Sequence, residues 1–281
     1  MIVALIVTYN PEISFLAKQS YLIAQQVDKI IYVDNGSKDV ENVKSCLILD
    51  KSIFIDNKEN LGLGLAQNIG LKKAKDLNSD FVLLMDQDSL PPTHFVSSLL
   101  KTYEDSSINY DVALVGPAIR NIYKGALFNE LGIKLSGWGF KRIPINTITK
   151  VDYCIASGSL IPMNALDKIG AIQEKLFIDG MDIEWCLRSK SLGYEIIQTN
   201  STYLEHQLGN GSEDRVLSHS PIREYYIVRN DIWLSKQKYI PIGYRMRKKF
   251  TPIVRLLLSL SHLRIEYFKA EIRGLIDGVK L

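Results

Sequence analysis

Only three cysteines occur in the 281 residues, Cys46, Cys154 and Cys186, and they are too far apart to form a metal knuckle or a redox pair. That excludes a disulfide scaffold, and the thiols read as reduced core residues of a cytosolic protein. Long hydrophobic runs are also lacking: no stretch reaches the roughly 18 uncharged apolar residues that cross a bilayer. A basic leader is missing from the first residues, so Met1 to Val7, which runs straight into Thr8-Tyr9-Asn10-Pro11, reads as a first strand and not as a signal peptide. Neither sign of charge dominates. With 34 basic against 31 acidic residues the net charge is +3, too small to call for a nucleic-acid partner. No internal repeat or low-complexity tract is present. What remains is ordinary for a folded chain: 46% hydrophobic and 23% charged residues exclude disorder, and the length suits one large α/β domain or a domain with an appendage.

Short apolar runs alternate with helical patterns. Ile2 to Val7, Ile30 to Val33, Ser52 to Ile55, Phe81 to Met85 and Val112 to Val115 are strand-like, while Ile13 to Val27, Val43 to Leu49, Leu63 to Leu77 and Phe95 to Tyr103 carry helical spacing. Alternation of this kind predicts right-handed crossovers and a mostly parallel sheet covered by helices on both faces. Residues 1–115 therefore read as a nucleotide-binding type of α/β half. Past Gly116-Pro117 the alternation weakens, and Gly132, Gly137, Trp138 and Gly139 suggest loops that shape a pocket. A short strand over Val151 to Ile155, a helix from about Asp182 to Leu192 and a last strand over Glu195 to Gln198 follow.

Polar clusters sit where three of the predicted strands end: Thr8-Tyr9-Asn10, Asp34-Asn35-Gly36-Ser37 and Asp86-Gln87-Asp88. In an open parallel sheet the carboxyl ends of strands border the ligand crevice, so the three clusters should converge. Asp86 and Asp88, two residues apart, suit a divalent metal completed by phosphate oxygens, although the same letters also make a turn that caps the next helix. Asp34 has two readings as well, acceptor of a pyrimidine imide N–H or turn residue. The segment Asn60-Leu61-Gly62-Leu63-Gly64-Leu65-Ala66-Gln67-Asn68-Ile69-Gly70 opens a helix without the dinucleotide fingerprint, and its glycines suit close approach to a nucleotide or to the sheet.

These motifs, in this order, resemble the inverting nucleotide-sugar glycosyltransferases of family 2, which have the GT-A fold. The resemblance continues through Phe177-Ile178-Asp179-Gly180-Met181-Asp182-Ile183-Glu184-Trp185-Cys186-Leu187-Arg188, Glu205-His206 and Arg223-Glu224-Tyr225-Tyr226-Ile227-Val228-Arg229-Asn230, covering about residues 1–235. Within the family the chain is most similar to bacterial rhamnosyltransferases of polysaccharide and O-antigen assembly. The resemblance implies a GT-A domain over 1–240, with 1–115 as the nucleotide-sugar half and 116–240 as the acceptor and catalytic half, followed by a helical extension over 241–281. It implies donor-nucleotide contacts at Thr8, Tyr9, Asn10, Asp34, Asn35, Asn60, Gly62, Asn68, Asp86 and Gln87. Asp88 and His206 would hold Mg²⁺ or Mn²⁺, and Arg223, Tyr226 and Arg229 would bind the diphosphate. Ser157, Gly158, Asp179 and Trp185 would line the acceptor side. Asp182 inherits the role of catalytic base. Met181 stands where many relatives have a further acid, and Asp179 and Glu184 compete for the role. Asp182 also has a plain reading as a helix cap.

The implied donor is dTDP-L-rhamnose, with a UDP-hexose as the alternative, and the implied acceptor is a lipid-linked saccharide. Two further classes compete, sugar nucleotidyltransferases and non-catalytic carbohydrate-binding proteins. The former generally carry a Gly-rich basic loop after the first strand, where this chain has Thr8-Tyr9-Asn10-Pro11. Near the C-terminus, Arg245, Arg247, Lys248 and Lys249 precede an apolar row of Ile253, Leu256, Leu257, Leu260, Leu263, Tyr267 and Phe268. This suits a basic amphipathic helix lying on the inner face of an anionic membrane, or a helix packed on the domain or on a second copy of the chain.

Overall fold

The computed structural model describes residues 1–121, 131–206 and 220–281, leaving aside the side chains of Arg120, Asn121 and His206. Its first half alternates strand and helix: β1 (Ile2–Thr8), α1 (Ile13–Ala24), β2 (Lys29–Asp34), α2 (Val40–Ser45), β3 (Ser52–Asp56), α3 (Leu63–Asp76) and β4 (Phe81–Asp86). There follow β5 (Ser89–Leu90), α4 (Phe95–Ser107), β6 (Val112–Asn121), β7 (Leu131–Ser136), β8 (Gly139–Pro144), β9 (Thr149–Val151), β10 (Ser159–Pro162) and α5 (Met163–Ile169). The described chain closes with α6 (Met181–Ser191), β11 (Glu195–His206), α7 (Pro221–Lys236), α8 (Ile242–Ser261) and α9 (Ile265–Lys280).

Nine of these strands form one sheet, ordered β3-β2-β1-β4-β10-β6-β11-β5 with β9 on β11. The strands β1, β2, β3, β4, β6 and β11 run in one direction and β10, β9 and β5 oppose them, which is the expected mostly parallel α/β arrangement. Alternation along the strands divides the core. Val3, Leu5, Ile31, Val33, Val82 and Leu84 face one layer with Ala66, Leu71, Ile183 and Trp233. Ala4, Ile6, Ile30, Tyr32, Leu83 and Met85 face the other with Leu16, Ile23, Phe95 and Leu99. Gly70 allows the closest helix–sheet approach, because a Cβ there would lie 2.1 Å from a Leu5 methyl.

Some elements depart from the sequence expectations. The helix expected over Val43 to Leu49 begins earlier, because the Asp39 carboxylate accepts from Asn42 N–H and caps it. The strand expected over Glu195 to Gln198 runs on to His206, since it pairs in parallel with β6 over Glu195–Thr199 and again, after an irregularity, over Tyr203–His206. The Gly- and Trp-bearing stretch expected as loops is the antiparallel hairpin β7–β8, which turns at Gly137-Trp138.

The C-terminal helices pack back on α7. Gly274 and Gly278 of α9 lie so near the α7 backbone that a Cβ on either would stand 2.5 and 2.6 Å from the Tyr225 and Arg229 carbonyls. Part of the basic cluster, and Arg255 after it, is turned inward, while Arg247 and Lys249 are exposed. Lys248 meets buried Asp231 at 2.5 Å, Arg255 meets buried Glu224 at 2.5 Å, and Arg245 donates to the Ser235 carbonyl. The outward side of α8 also carries Phe250, Ile253, Val254, Leu257 and Leu260. The extension is thus amphipathic and packed on the domain, with Lys248 and Arg255 paired at the helix–helix interface.

Candidate active site

The register brings the polar strand ends together. Thr8 pairs with Asp34, Val7 with Asp86 and Asp34 with Asp56, so four strands end along one edge. Asp34 is fully buried there, and its carboxylate accepts from Thr8 Oγ1 (2.9 Å), Ser37 Oγ (2.6 Å), Ser37 N–H (2.8 Å) and Gly36 N–H (3.2 Å). These four contacts make Asp34 the fastener of the turn that follows β2. Asn35 is equally committed: its Oδ1 accepts from Leu61 N–H and Asn57, while its Nδ2 donates to Asn60 Oδ1, which also accepts from Gly62 N–H. Asn10, at φ +46°, accepts from Lys38 N–H, and its own N–H donates to Ser37 Oγ. The edge is a preorganised loop cluster around the exposed ring of Tyr9.

The Asp86-Gln87-Asp88 turn is fastened from three sides. Gln19, fully buried in α1, donates one amide nitrogen to the carbonyls of both Asp86 and Ser89 at 2.6 Å. Gln87 clamps the Tyr9 backbone, accepting from its N–H at 2.8 Å and donating to its carbonyl at 3.2 Å. Ser157 Oγ accepts from Asp86 N–H at 3.0 Å and lies 2.9 Å from Ser89 Oγ. The backbone of His206 stands opposite Ser89 in the β5–β11 pair, one residue beyond Asp88. Its side chain lies outside the described residues, so the expected histidine ligand is placed by register alone. Among the described residues no cluster of three metal-ligating side chains occurs. The turn still fits a divalent cation, because it offers two hard carboxylates, both partly buried, on a backbone fixed by Gln19, Gln87 and Ser157.

Asp182 stands in the first turn of α6, partly buried, where its Oδ2 accepts from the Tyr153 hydroxyl at 3.1 Å and its Oδ1 from Ile183 N–H at 3.0 Å. Burial pushes its pKa above the ordinary carboxylate range and the nearby Asp179 charge adds to this, against the opposing pull of those hydrogen bonds. Burial and the Asp182 charge likewise push the Tyr153 hydroxyl up, so it remains a neutral donor. Two thiols complete this wall, Cys154 and Cys186, the latter pushed up to about 12 by burial. The segment from Tyr153 to Ser157 joins the Asp182 wall to the Asp86 turn over four residues, a span of at most about 14 Å.

The competing acids part company. Glu184 is fully buried and accepts from Arg188 and from Tyr239 at 2.6 Å, so both of its oxygens are engaged by protein groups. Asp179 is engaged by Arg223 through a two-bond fork of 2.9 and 2.8 Å. Asp182 makes no ion pair with a cation among the described residues; its side-chain partner is a neutral tyrosine and burial raises its pKa, features that suit a general base.

Several residues expected at the site are placed elsewhere. Trp185 is buried in the core beneath α6 with its N–H on the Gly170 carbonyl. Asn68 exchanges hydrogen bonds with the backbone of Ile172 and donates to Glu174, tying α3 to the chain ahead of α6. Ser157 is buried under the acidic turn, and Gly158, at φ +80°, is packed beneath Pro117, Leu204 and Phe95, so neither faces an acceptor. Arg223 and Arg229, expected on a diphosphate, meet protein groups: Arg223 meets Asp179, and Arg229 meets the Lys175 carbonyl and Asn230. Tyr226 stacks on Phe177 with ring centroids 4.5 Å apart, and the Arg229 guanidinium lies over the Tyr226 ring at 4.8 Å. Sequence reasoning passed over Tyr153, Gln19 and Asn230, because their roles depend on which strand or loop each one meets.

Residues 4–170 match the family model described as Glycosyl transferase family 2. The chain is 28% identical over 288 residues to the dTDP-rhamnosyl transferase RfbF of Shigella flexneri, covering 99% of this chain and 95% of that protein. In structure it is similar to GalNAc-T7 solved with UDP, GalNAc and Mn²⁺ (TM-score 0.62, 14% identity, 89% of this chain and about half, 54%, of that one). It is also similar to the mannosyltransferase PcManGT of Pyrobaculum calidifontis solved with GDP-Man and Mn²⁺ (TM-score 0.60, 13% identity, 99% and 75%). Polar strand ends gathered along one edge of the sheet, an acidic turn among them and a family match over more than half the length lead to one conclusion: this chain is a glycosyltransferase and belongs to glycosyl transferase family 2.

Proposed function

We propose that the enzyme transfers a sugar, with inversion, from a nucleoside diphosphate to an acceptor hydroxyl, and that its donor is dTDP-L-rhamnose. The observation that carries the reading is Asp182: a carboxylate of raised proton affinity, held by a neutral tyrosine whose segment leads within four residues to Ser157 under the Asp86 turn. Such a group can take the acceptor's proton as the oxygen attacks the anomeric carbon from the side opposite the leaving diphosphate. The rhamnosyl donor is supported by the near full-length relation to RfbF; a UDP-hexose is the alternative.

Asp88, with Asp86 beside it and His206 in register, would hold Mg²⁺ or Mn²⁺. When bound, such a cation neutralises charge on the departing diphosphate. The loops around Thr8, Tyr9, Asn10 and Asn60 shape the nucleotide pocket, with Asp34 and Asn35 as their internal fasteners. The donor half is residues 1–115 and the acceptor half 116–240.

The test is a panel of nucleotide sugars and a nucleoside triphosphate, scored for binding with and without Mn²⁺ and then for transfer. Metal-dependent binding of dTDP-L-rhamnose is the expected result. Preference for the triphosphate, or no nucleotide binding, overturns the reading.

No described helix is long and apolar enough to cross a membrane. The outward row of Phe250, Ile253, Val254, Leu257 and Leu260 suits a lipid surface, where a lipid-linked acceptor would be met on the cytoplasmic side. Co-sedimentation with anionic vesicles should fall in an Ile253→Asp/Leu257→Asp double variant. Unchanged vesicle binding together with a loss of dimer would assign the row to a second copy of the chain instead.

A further inference from the structure

The five residues before Asp182 form the most contorted stretch of the described backbone. Phe177 (φ +58°), Asp179 (φ +65°) and Gly180 (φ +85°) all take positive φ within four residues. Only the glycine does so without a steric penalty, and the other two are strained there. Such a turn persists only where its surroundings impose it.

Here α7 imposes it. The Asn230 amide nitrogen donates to three successive-turn carbonyls, those of Leu176, Ile178 and Asp179, at 2.7, 2.7 and 2.9 Å. Arg229 donates to the Lys175 carbonyl at 2.6 Å and to Asn230 Oδ1, which orients that amide. Tyr226 stacks on the Phe177 ring, whose other neighbour is Gly62 at the start of α3. Arg223 forks onto both oxygens of Asp179. Everything that fixes the turn from α7 is thus gathered in Arg223, Tyr226, Arg229 and Asn230, a single helical face at spacings of three, three and one.

We infer that α7 is the positioning element for Asp182, and that its Arg223–Asp179 ion pair both locks the turn from which Asp182 starts α6 and cancels the carboxylate charge nearest to it. The inference rests on Asp182 being the base. The groups that face Asp182 are few: Tyr153 and Cys154 from the segment after β9, Cys186 from its own helix, and Asp179 from the turn. Only Asp179 is an anion among them, so Arg223 controls whether a bare negative charge stands beside the base. Fork geometry matters because a lysine cannot reproduce two parallel N–H donors.

The test is a double-mutant cycle read on the titration of Asp182. Aspartate labelled with ¹³C at the carboxyl carbon reports it by NMR, with the Asp182 resonance assigned as the one lost in D182N. Replacing Arg223 with Gln leaves Asp179 uncompensated and should move the titration up by about half a pH unit or more, whereas D179N should move it down by a similar amount. The pair R223Q/D179N should return close to wild type. R223K, which keeps the charge, should restore the midpoint but not the full turnover of dTDP-L-rhamnose. Single variants that lose turnover without opposite shifts of this resonance would overturn the inference, leaving α7 a mere support. The outcome is separable from that of the base assignment, since a D182N enzyme with wild-type turnover removes the base and leaves the ¹³C cycle still readable. If R223Q does not fold, D179N and R223K decide the sign.

Discussion

The two walls of the crevice are built by different means. On the donor side, Asp34, Asn35, Gln19, Gln87 and Ser157 fasten loops with neutral donors and backbone groups, and the loops spring directly from adjacent, in-register strands. On the base side, a strained turn is held by an ion pair, an aromatic stack and a triple amide clamp from a helix more than 40 residues further along. The first needs little long-range cooperation, because a parallel sheet already delivers strand ends to one edge. The second has no such scaffold and borrows one. The difference predicts that damage to α7 harms catalysis before binding, while damage to the acidic turn harms both.

The largest contrast is between the two acids. D182N should reduce transfer by at least about 10³-fold while donor affinity by calorimetry stays within about threefold of wild type. D88N should lose metal-dependent donor binding and about 10²–10³-fold in kcat/KM. Equal losses of binding in both variants would erase the distinction between the walls.

Next in size is Asn230→Ala, which strips a shared donor from three turn carbonyls. Since leaving buried carbonyls unpaired costs about 1–3 kcal/mol each, we expect a lowered kcat with KM nearly unchanged and faster hydrogen exchange confined to 174–182. Gln19→Leu removes the amide from beneath the Asp86 turn and should destabilise the fold by about 2 kcal/mol in urea unfolding, with KM for the nucleotide sugar rising. A rise in kcat alone would show that the turn does not serve the donor.

The smallest effect concerns Tyr153. Its hydroxyl stabilises ionised Asp182, so Tyr153→Phe should move the acidic limb of kcat/KM to higher pH with little change at alkaline pH. The linkage has the same sign in stability. A carboxyl whose folded pKa is raised favours the fold when protonated and loses that contribution as pH rises through the folded value. D182N should therefore melt above wild type at neutral and alkaline pH, with the gap closing in acid.

Much of the donor wall was legible beforehand. Five apolar residues followed by Asp-x-Asp, and the Thr8 and Asp34 clusters after similar runs, can be read from strand periodicity and from the edge where parallel strands end. The protein contacts of Trp185 and Asn68 were not legible, because a motif in a helix does not say which face meets the core. Those of Ser157 and Gly158 were not legible either, because a small residue serves equally as a pocket wall and as a buttress. Arg223 and Arg229 suited phosphate by chemistry, yet Asp179 and the Lys175 carbonyl reached them first. The inward turn of Lys248 and Arg255 was hidden for a similar reason: their partners, Asp231 and Glu224, lie on another helix.

The sequence by itself determined the layered α/β fold, the order of its polar strand ends and the family, because these follow from local periodicity and from motifs that keep their order. Only the tertiary structure decided the surroundings of the three candidate acids. Asp179, Asp182 and Glu184 are chemically alike and nearly adjacent, and what separates them is a guanidinium, a tyrosine and a buried ion pair brought from distant parts of the chain. Proton affinity is set by burial and by the nearest charge, and neither is a property of neighbouring letters.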